Sequence, residues 1–209
     1  MTLSTWLAFF VASWLISLSP GAGAISCMSM GMRFGYRRSI PNILGLQIGA
    51  SLLIVIVALG LGAALSASVV AFETIKWFGV AYLLWLGIGQ WRAEAKPIEL
   101  DATLPPMSAM RMFLRAVLIN LSNPKGIVFM LAVLPQFIDP HVPQWPQYGI
   151  CIATIFFTDA VVMSGYVLLA ARVFSSLRDV RHLRWLNRFF GSLFIGVAVL
   201  LATFKKAAP

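Results

Sequence analysis

The sequence predicts an all-α integral membrane protein whose six transmembrane helices form an inverted 3+3 repeat, with the first helix of each half broken at a proline. Three observations carry this. Of the 209 residues 60% are apolar and 11% charged, against about half and about a quarter in soluble domains. Six apolar runs, near 4–28, 40–65, 70–90, 113–137, 147–171 and 188–204, come to roughly the 20 residues that a helical span needs. Finally, Leu15-Ile16-Ser17-Leu18-Ser19-Pro20 and Leu118-Ile119-Asn120-Leu121-Ser122-Asn123-Pro124 read as one helix made twice.

Proline removes a backbone donor and clashes with the carbonyl four residues back, so the helices open at Ser19-Pro20-Gly21 and at Asn123-Pro124-Lys125. In lipid, opened backbone survives only where it lines a cavity. Three spans per half is an odd number, so the second half enters the membrane from the opposite side, and a substrate site belongs near the midplane between the halves. Residues 1–92 form the first repeat, 93–111 a cytoplasmic linker and 112–209 the second repeat.

The first span starts almost at once, with Trp6 at an interface, and meets its break about 20 Å further on. Met1 to Thr5 carry no basic side chain, and the apolar run is too long for a signal-peptide core, so the run is expected to stay as a helix. Loop one holds Arg33, Arg37 and Arg38 and closes at Pro41, which suits the opening turn of the next helix. In the second span Gly45 and Gly49 form a small-x-x-x-small pattern that admits a neighbouring backbone. Gln47, between them, either touches a ligand or bonds across two helices. Loop two, Ser66 to Ala71, is nearly uncharged, and Glu73 with Lys76 makes an interfacial i, i+3 pair. The third span ends at Trp91-Arg92, and the linker carries Pro97, Pro105 and Pro106.

The fourth span contains the second break. Loop four, Ile138 to Gln147, has no Lys or Arg, whereas loop five gathers Arg172, Arg178, Arg181, Arg184 and Arg188. The three odd loops hold twelve of the sixteen bases. The positive-inside rule therefore puts them in the cytoplasm and both chain termini in the periplasm, although Lys205 and Lys206 oppose this. Trp6, Trp77 and Trp145 at outer ends, with Trp91 and Trp185 at inner ends, agree.

The formal charge of +9 sits beside the spans and not in a nucleic-acid-binding motif, so no nucleic-acid partner is expected. Cys27 and Cys151 lie in apolar runs without a C-x-x-C and read as small packing residues, while His141 and His182 lie in loops. No metal or other cofactor is expected from these spacings, nor does a nucleophile with its base suggest an enzyme. The partners expected are the bilayer, protons and a small molecule; a homo-oligomer stays open.

Two ionisable side chains fall deep in the spans: Lys125, after the second break, and Asp159, about 18 Å into the fifth span. An isolated charge there costs roughly 2.5–3.5 kcal/mol on insertion scales, so each should face a partner or water. Either the two pair with each other or they make a working site. In the second reading Asp159 accepts a substrate ammonium, or a proton when the site is empty, while Lys125 and the amides after Pro20 favour a carboxylate or carbonyl. Ser19, Asn120 and Asn123 either contact substrate or satisfy carbonyls the prolines set free. Gly21 and Gly23 permit a close backbone approach, or merely packing.

Along nearly the whole chain the sequence resembles the LysE/RhtB family of bacterial amino-acid exporters. Where that family usually has Ser-Pro-Gly-Pro-Asn, this chain has Ser19-Pro20-Gly21-Ala22-Gly23. With Gly45-Leu46-Gln47, Lys76-Trp77, Ala81-Tyr82-Leu83, Gln90-Trp91-Arg92, Asn123-Pro124-Lys125 and Pro135-Gln136-Phe137, the departure looks like the branch that exports homoserine and homoserine lactone. The resemblance implies proton-coupled efflux of small neutral amino acids across the bacterial inner membrane, with threonine or another amino acid as the alternative cargo. A non-transporting scaffold would have no use for two mirrored breaks. A lactone has no free carboxylate, so the group its recognition shares with homoserine is the amine, which favours Asp159 over Lys125 as the main contact.

Overall fold

The computed structural model describes residues 1–67, 69–93, 107–172 and 180–203, and all regular structure among them is helical. Helix α1 is Leu3–Leu18, α2 Ala22–Ala67, α3 Val69–Arg92, α4 Ala109–Leu121 and α5 Pro124–Val128. A π-helical turn, Phe129–Val133, and a 3-10 turn, Leu134–Phe137, prolong α5, and then come α6, Gln144–Arg172, and α7, Val180–Thr203. Helices α2 and α6 contain stretches long and apolar enough to cross a membrane, and α4 with α5 and its turns makes a bent third, the two parts inclined at 53°.

Both proline breaks lie where the sequence puts them. Helix α1 ends at Leu18 and α2 starts at Ala22; α4 ends at Leu121 and α5 starts at Pro124, capped by the Asn123 carboxamide, which accepts from the Lys125 amide at 3.1 Å. Proline at the first position of α5 forgoes only an amide that the helix leaves unused. The π-helical turn precedes Pro135, whose missing donor leaves the preceding turn to find other partners.

Helix α2 is not one rod. Its 46 residues would measure about 69 Å, more than twice a bilayer's hydrocarbon core. At Gly35 the backbone takes φ 72° and ψ 177°, a region essentially reserved for glycine. The chain doubles back there: Ser26 Oγ donates to Asn42 Oδ1 at 2.9 Å, and Asn42 Nδ2 to Cys27 Sγ at 3.4 Å. In a straight helix those partners would lie more than 20 Å apart. The reversal thus falls at Gly35, and Pro41 sits inside the second arm instead of opening it. Ser39 Oγ, bonded to the Gly35 carbonyl at 2.8 Å, ties the turn's first carbonyl to that arm.

The contacts fix helix directions. Trp6 meets Thr154 and Leu18 meets Tyr166, so α1 and α6 run parallel. Gly45 lies against Phe113 and Ala116, and Gly49 against Val117 and Asn120, so the second arm of α2 runs parallel to α4. That arm is antiparallel to α6, with Tyr36 on Ser164 and Gln47 on Asp159. Helices α3 and α7 are antiparallel, with Gln90 on Asn187 and Gly87 on Gly191. A Cβ on Gly49 would sit 2.9 Å from the Val117 carbonyl oxygen, which is the close approach expected of the Gly45/Gly49 pair.

The exterior is apolar and the polar groups face inward. Leu44, Ile48, Leu52 and Ile56, four residues apart on α2, are exposed, whereas Asn42, Gln47, Ser13, Ser17, Ser19 and Thr158 are buried. This is the arrangement of a helix bundle in lipid. Cys27 and Cys151 are buried free thiols, as their apolar settings suggested. The linker residues 94–106, Arg178, Lys205 and Lys206 lie outside the described residues, as do the side chains of Glu73, Lys76 and His182.

Candidate functional site

The first break is held from across the molecule. Pro20 has no amide hydrogen, so the Ile16 carbonyl four residues earlier loses its helical donor. Lys125 Nζ replaces it at 2.9 Å and also donates to the Ser19 carbonyl at 2.5 Å. The Tyr166 hydroxyl donates to the Leu18 carbonyl at 2.6 Å. Gly21 lies against the lysine, and a Cβ there would meet Nζ at 3.4 Å, an ordinary contact. The ammonium also stands 5.9 Å from the centre of the Phe194 ring on α7.

The second break looks after itself. The carbonyl that Pro124 orphans is that of Asn120, and the Asn123 amide takes it at 3.1 Å. Ser122 gives both its amide, at 2.9 Å, and its hydroxyl, at 2.7 Å, to the Leu118 carbonyl. The Asn120 carboxamide reaches instead to α2, donating to the Leu46 carbonyl at 2.6 Å.

Asp159 faces these groups from α6. Gln47 Nε2 donates to its carboxyl at 2.9 Å, and Ser17 lies beside the same group. The bond between Gln47 and Asp159 joins α2 to α6, so of the two expectations for Gln47 the structure shows the bond across two helices, with the deep acid as its partner. Gln47 Oε1 and Ser19 Oγ are buried with no hydrogen-bond partner, although such groups normally find one.

Asp159 and Lys125 do not pair with each other: the lysine's bonds go to carbonyls and the acid's to Gln47. Both line one cavity of about 60 Å³, together with Ser17, Ser19, Gly21, Asn120 and Asn123. By the measure of roughly 10–15 Å³ per water-sized probe, it has room for a few small polar groups. Of the residues singled out in the sequence, Asp159, Lys125, Asn123, Asn120, Ser19 and Gly21 line it, and Gln47 reaches it through Asp159; Pro20 and Pro124 open the helices around it. Ser17 and Tyr166 were not singled out. Ser17 stands two residues from Ser19, and Tyr166 seven after Asp159, on the same helical face.

A lipid-facing exterior around a polar cavity where two interrupted helices meet defines a membrane transport protein. The chain belongs to the LysE family: the LysE type translocator pattern matches residues 14–204. It is therefore a multi-pass membrane transporter and not an enzyme. Over 207 residues, 99% of this chain and all of the relative, it is 47% identical to the homoserine/homoserine lactone efflux protein of Salmonella typhimurium. It is 44% identical to an uncharacterized membrane protein of Vibrio cholerae, covering 98% of this chain and all of that one. The leucine efflux protein of Klebsiella pneumoniae is 27% identical, covering 96% of each chain. No solved structure matches.

Proposed function

We propose that this chain exports homoserine and homoserine lactone, and threonine as a further small neutral amino acid, from the bacterial cytoplasm to the periplasm in exchange for protons. The observation that carries this is the Asp159 carboxyl, held by Gln47 on a small cavity between two broken helices. An ammonium seated there meets Asp159, while the Ser19 hydroxyl is free to serve a substrate oxygen. Lys125 is committed to Ile16, Ser19 and the Phe194 ring, so a carboxylate gains little from it. That suits a cargo pair of which only one member has a carboxylate. The similarity to the Salmonella efflux protein supports the same cargo.

The architecture behind this is six spans in an inverted repeat, with residues 1–92 and 112–209 as its halves. Helix directions support it: α1 with the first arm of α2 makes one crossing and runs parallel to α6, the second arm and α4 run opposite to both, and α3 and α7 oppose each other, as crossings one to six require. Equivalent helices also pack on each other, the second arm of α2 on α6 and α3 on α7. Base placement puts the Arg33–Arg38 turn in the cytoplasm and the termini in the periplasm of the inner membrane.

A second reading, export of a different amino acid, is favoured by the Klebsiella leucine relative, though the small cavity disfavours bulky cargo. Purified protein in liposomes separates the readings. Labelled homoserine and its lactone should move against a proton gradient, and collapse of the gradient should stop them. If leucine moves and homoserine does not, the proposed cargo is wrong.

A further inference from the structure

We propose that Tyr166 is a positioning residue for transport: its phenol holds the unwound end of α1 in the geometry that shuts the cavity on its cytoplasmic side. The inference rests on the orientation and export reading above.

Tyr166 lies two turns beyond Asp159 on α6, about 10 Å nearer the Arg172 end. Its hydroxyl donates to the Leu18 carbonyl, which the break deprives of its helical partner. Its ring packs against two small apolar clusters that lie on that side of the cavity. One contains Cys27, Ile43, Leu46 and Met163; the other is Ala24, Met28 and Ala170. On the opposite side the seal is much thicker, running from Phe9 and Ile54 through Leu134 to Tyr148 and Cys151. Tyr166 is therefore the joint between two thin patches of packing and the interrupted end of α1.

The asymmetry of the breaks gives this joint its meaning. Carbonyls of the second break are satisfied within its own helix pair, by Ser122 and Asn123. Those of the first depend on Lys125 and Tyr166 from the other half. Rocking one half against the other must loosen these bonds. Lys125 bonds flank Leu18 on both sides within the cavity wall, and Tyr166 holds Leu18 from the cytoplasmic side. Removing the hydroxyl should favour the conformation open to the cytoplasm.

The native thiols report the two sides. Cys27 lies in the cytoplasmic-side cluster and Cys151 in the opposite one, both with no exposed surface. Inside-out membrane vesicles carrying the full chain, with either cysteine replaced by alanine in turn, are treated with a membrane-impermeant maleimide. In Tyr166→Phe, Cys27 should label about five-fold faster than in the wild type, the population shift carried by one net hydrogen bond. Cys151 should be unchanged. Homoserine export should fall in maximal rate and in half-saturating concentration together, whereas a folding lesion lowers the rate alone. Tyr166→Ala, which also removes the ring, should label Cys27 faster still. Wild-type labelling of Cys27 in both variants overturns the proposal, as does equal acceleration at both cysteines. Should the wild type carry no homoserine, the export reading fails and the labelling comparison still decides the role of Tyr166.

Discussion

The ammonium of Lys125, at the second break, donates to the carbonyl of Ser19, at the first, across 106 residues of sequence. It also serves the Ile16 carbonyl, the one that Pro20 deprives of a helical donor. The lysine is thus the missing proline hydrogen, supplied from the other half of the chain. Lys125→Met keeps the length of the side chain and removes the donors, leaving two inward carbonyls unpaired at about 1–3 kcal/mol each. Melting in detergent should fall by several degrees, and export should fall with it. Wild-type melting in this variant would show that the carbonyls find water instead.

Close packing makes a sharper contrast. A Cβ on Gly49 would lie 2.7 Å from Asn120 Cβ and 2.9 Å from the Val117 carbonyl oxygen, while one on Gly149 meets nothing within 4 Å. Gly49→Leu should push α2 off α4, at a cost of about 1–3 kcal/mol in line with overpacking, and the abundance of protein in the membrane should fall. Gly149→Leu should leave abundance unchanged. Equal abundance of the two variants would contradict the α2–α4 contact.

Gly35 is a separate case because its backbone, not its surroundings, excludes a side chain. Nothing lies within 4 Å of a Cβ there, yet φ is 72°. Gly35→Ala should cost on the order of 1–3 kcal/mol from backbone strain alone, visible as a lower melting temperature with homoserine affinity unchanged. A variant as stable as the wild type would mean that the two arms of α2 turn elsewhere.

Much of this was legible in the sequence because it is local. A proline's missing amide and a glycine's missing side chain act on their own helix, so Pro20, Pro124 and the Gly45/Gly49 pair disclose breaks and close packing without any partner being known. Asp159 disclosed itself by its cost in lipid. The partners were not legible. Asp159 and Lys125 invite a pairing by charge, but Lys125 instead serves carbonyls 106 and 109 residues away, and such carbonyls leave no mark in a sequence. Tyr166 reads as one more aromatic residue in an apolar run until Leu18 is found opposite it. The loop read around Arg33, Arg37 and Arg38 does contain the turn, but its close at Pro41 is corrected for a related reason: a helix carries a proline in its early turns when packing holds it, and only the fold-back of Ser26 onto Asn42 narrows the reversal to Gly35.

Topology offers an independent check. In a chain whose Cys27 and Cys151 are replaced by alanine, a single cysteine at His141 should react with an impermeant maleimide in intact cells. One at Arg37 should react only after the membrane is opened. Both positions are exposed, so burial does not confuse the result. The reverse pattern would invert the orientation proposed from base placement, and reaction at both from outside would rule out an odd number of crossings between them.

The deepest prediction concerns Asp159. Asparagine at this position keeps an oxygen for Gln47 Nε2, so the α2–α6 bond at 2.9 Å has a successor, and losing a charge makes insertion cheaper by up to roughly 2.5–3.5 kcal/mol. Asp159→Asn should therefore reach the membrane at wild-type abundance and melt at or above the wild-type temperature. What it lacks is the charge that meets an ammonium. A charge-assisted hydrogen bond is roughly twice as strong as a neutral one, and its loss between packed helices, where charges interact more strongly than in water, should lower homoserine export by about 100-fold. Homoserine lactone should suffer as much, because the amine is the group the two share, and neither substrate should any longer move in response to a proton gradient. Efflux of both compounds, measured at matched abundance in liposomes with and without the gradient, checks each part. Export of the lactone at the wild-type rate in this variant would remove Asp159 from the site and leave Ser19 Oγ, a buried oxygen without a partner on the cavity wall, as the remaining candidate for recognition.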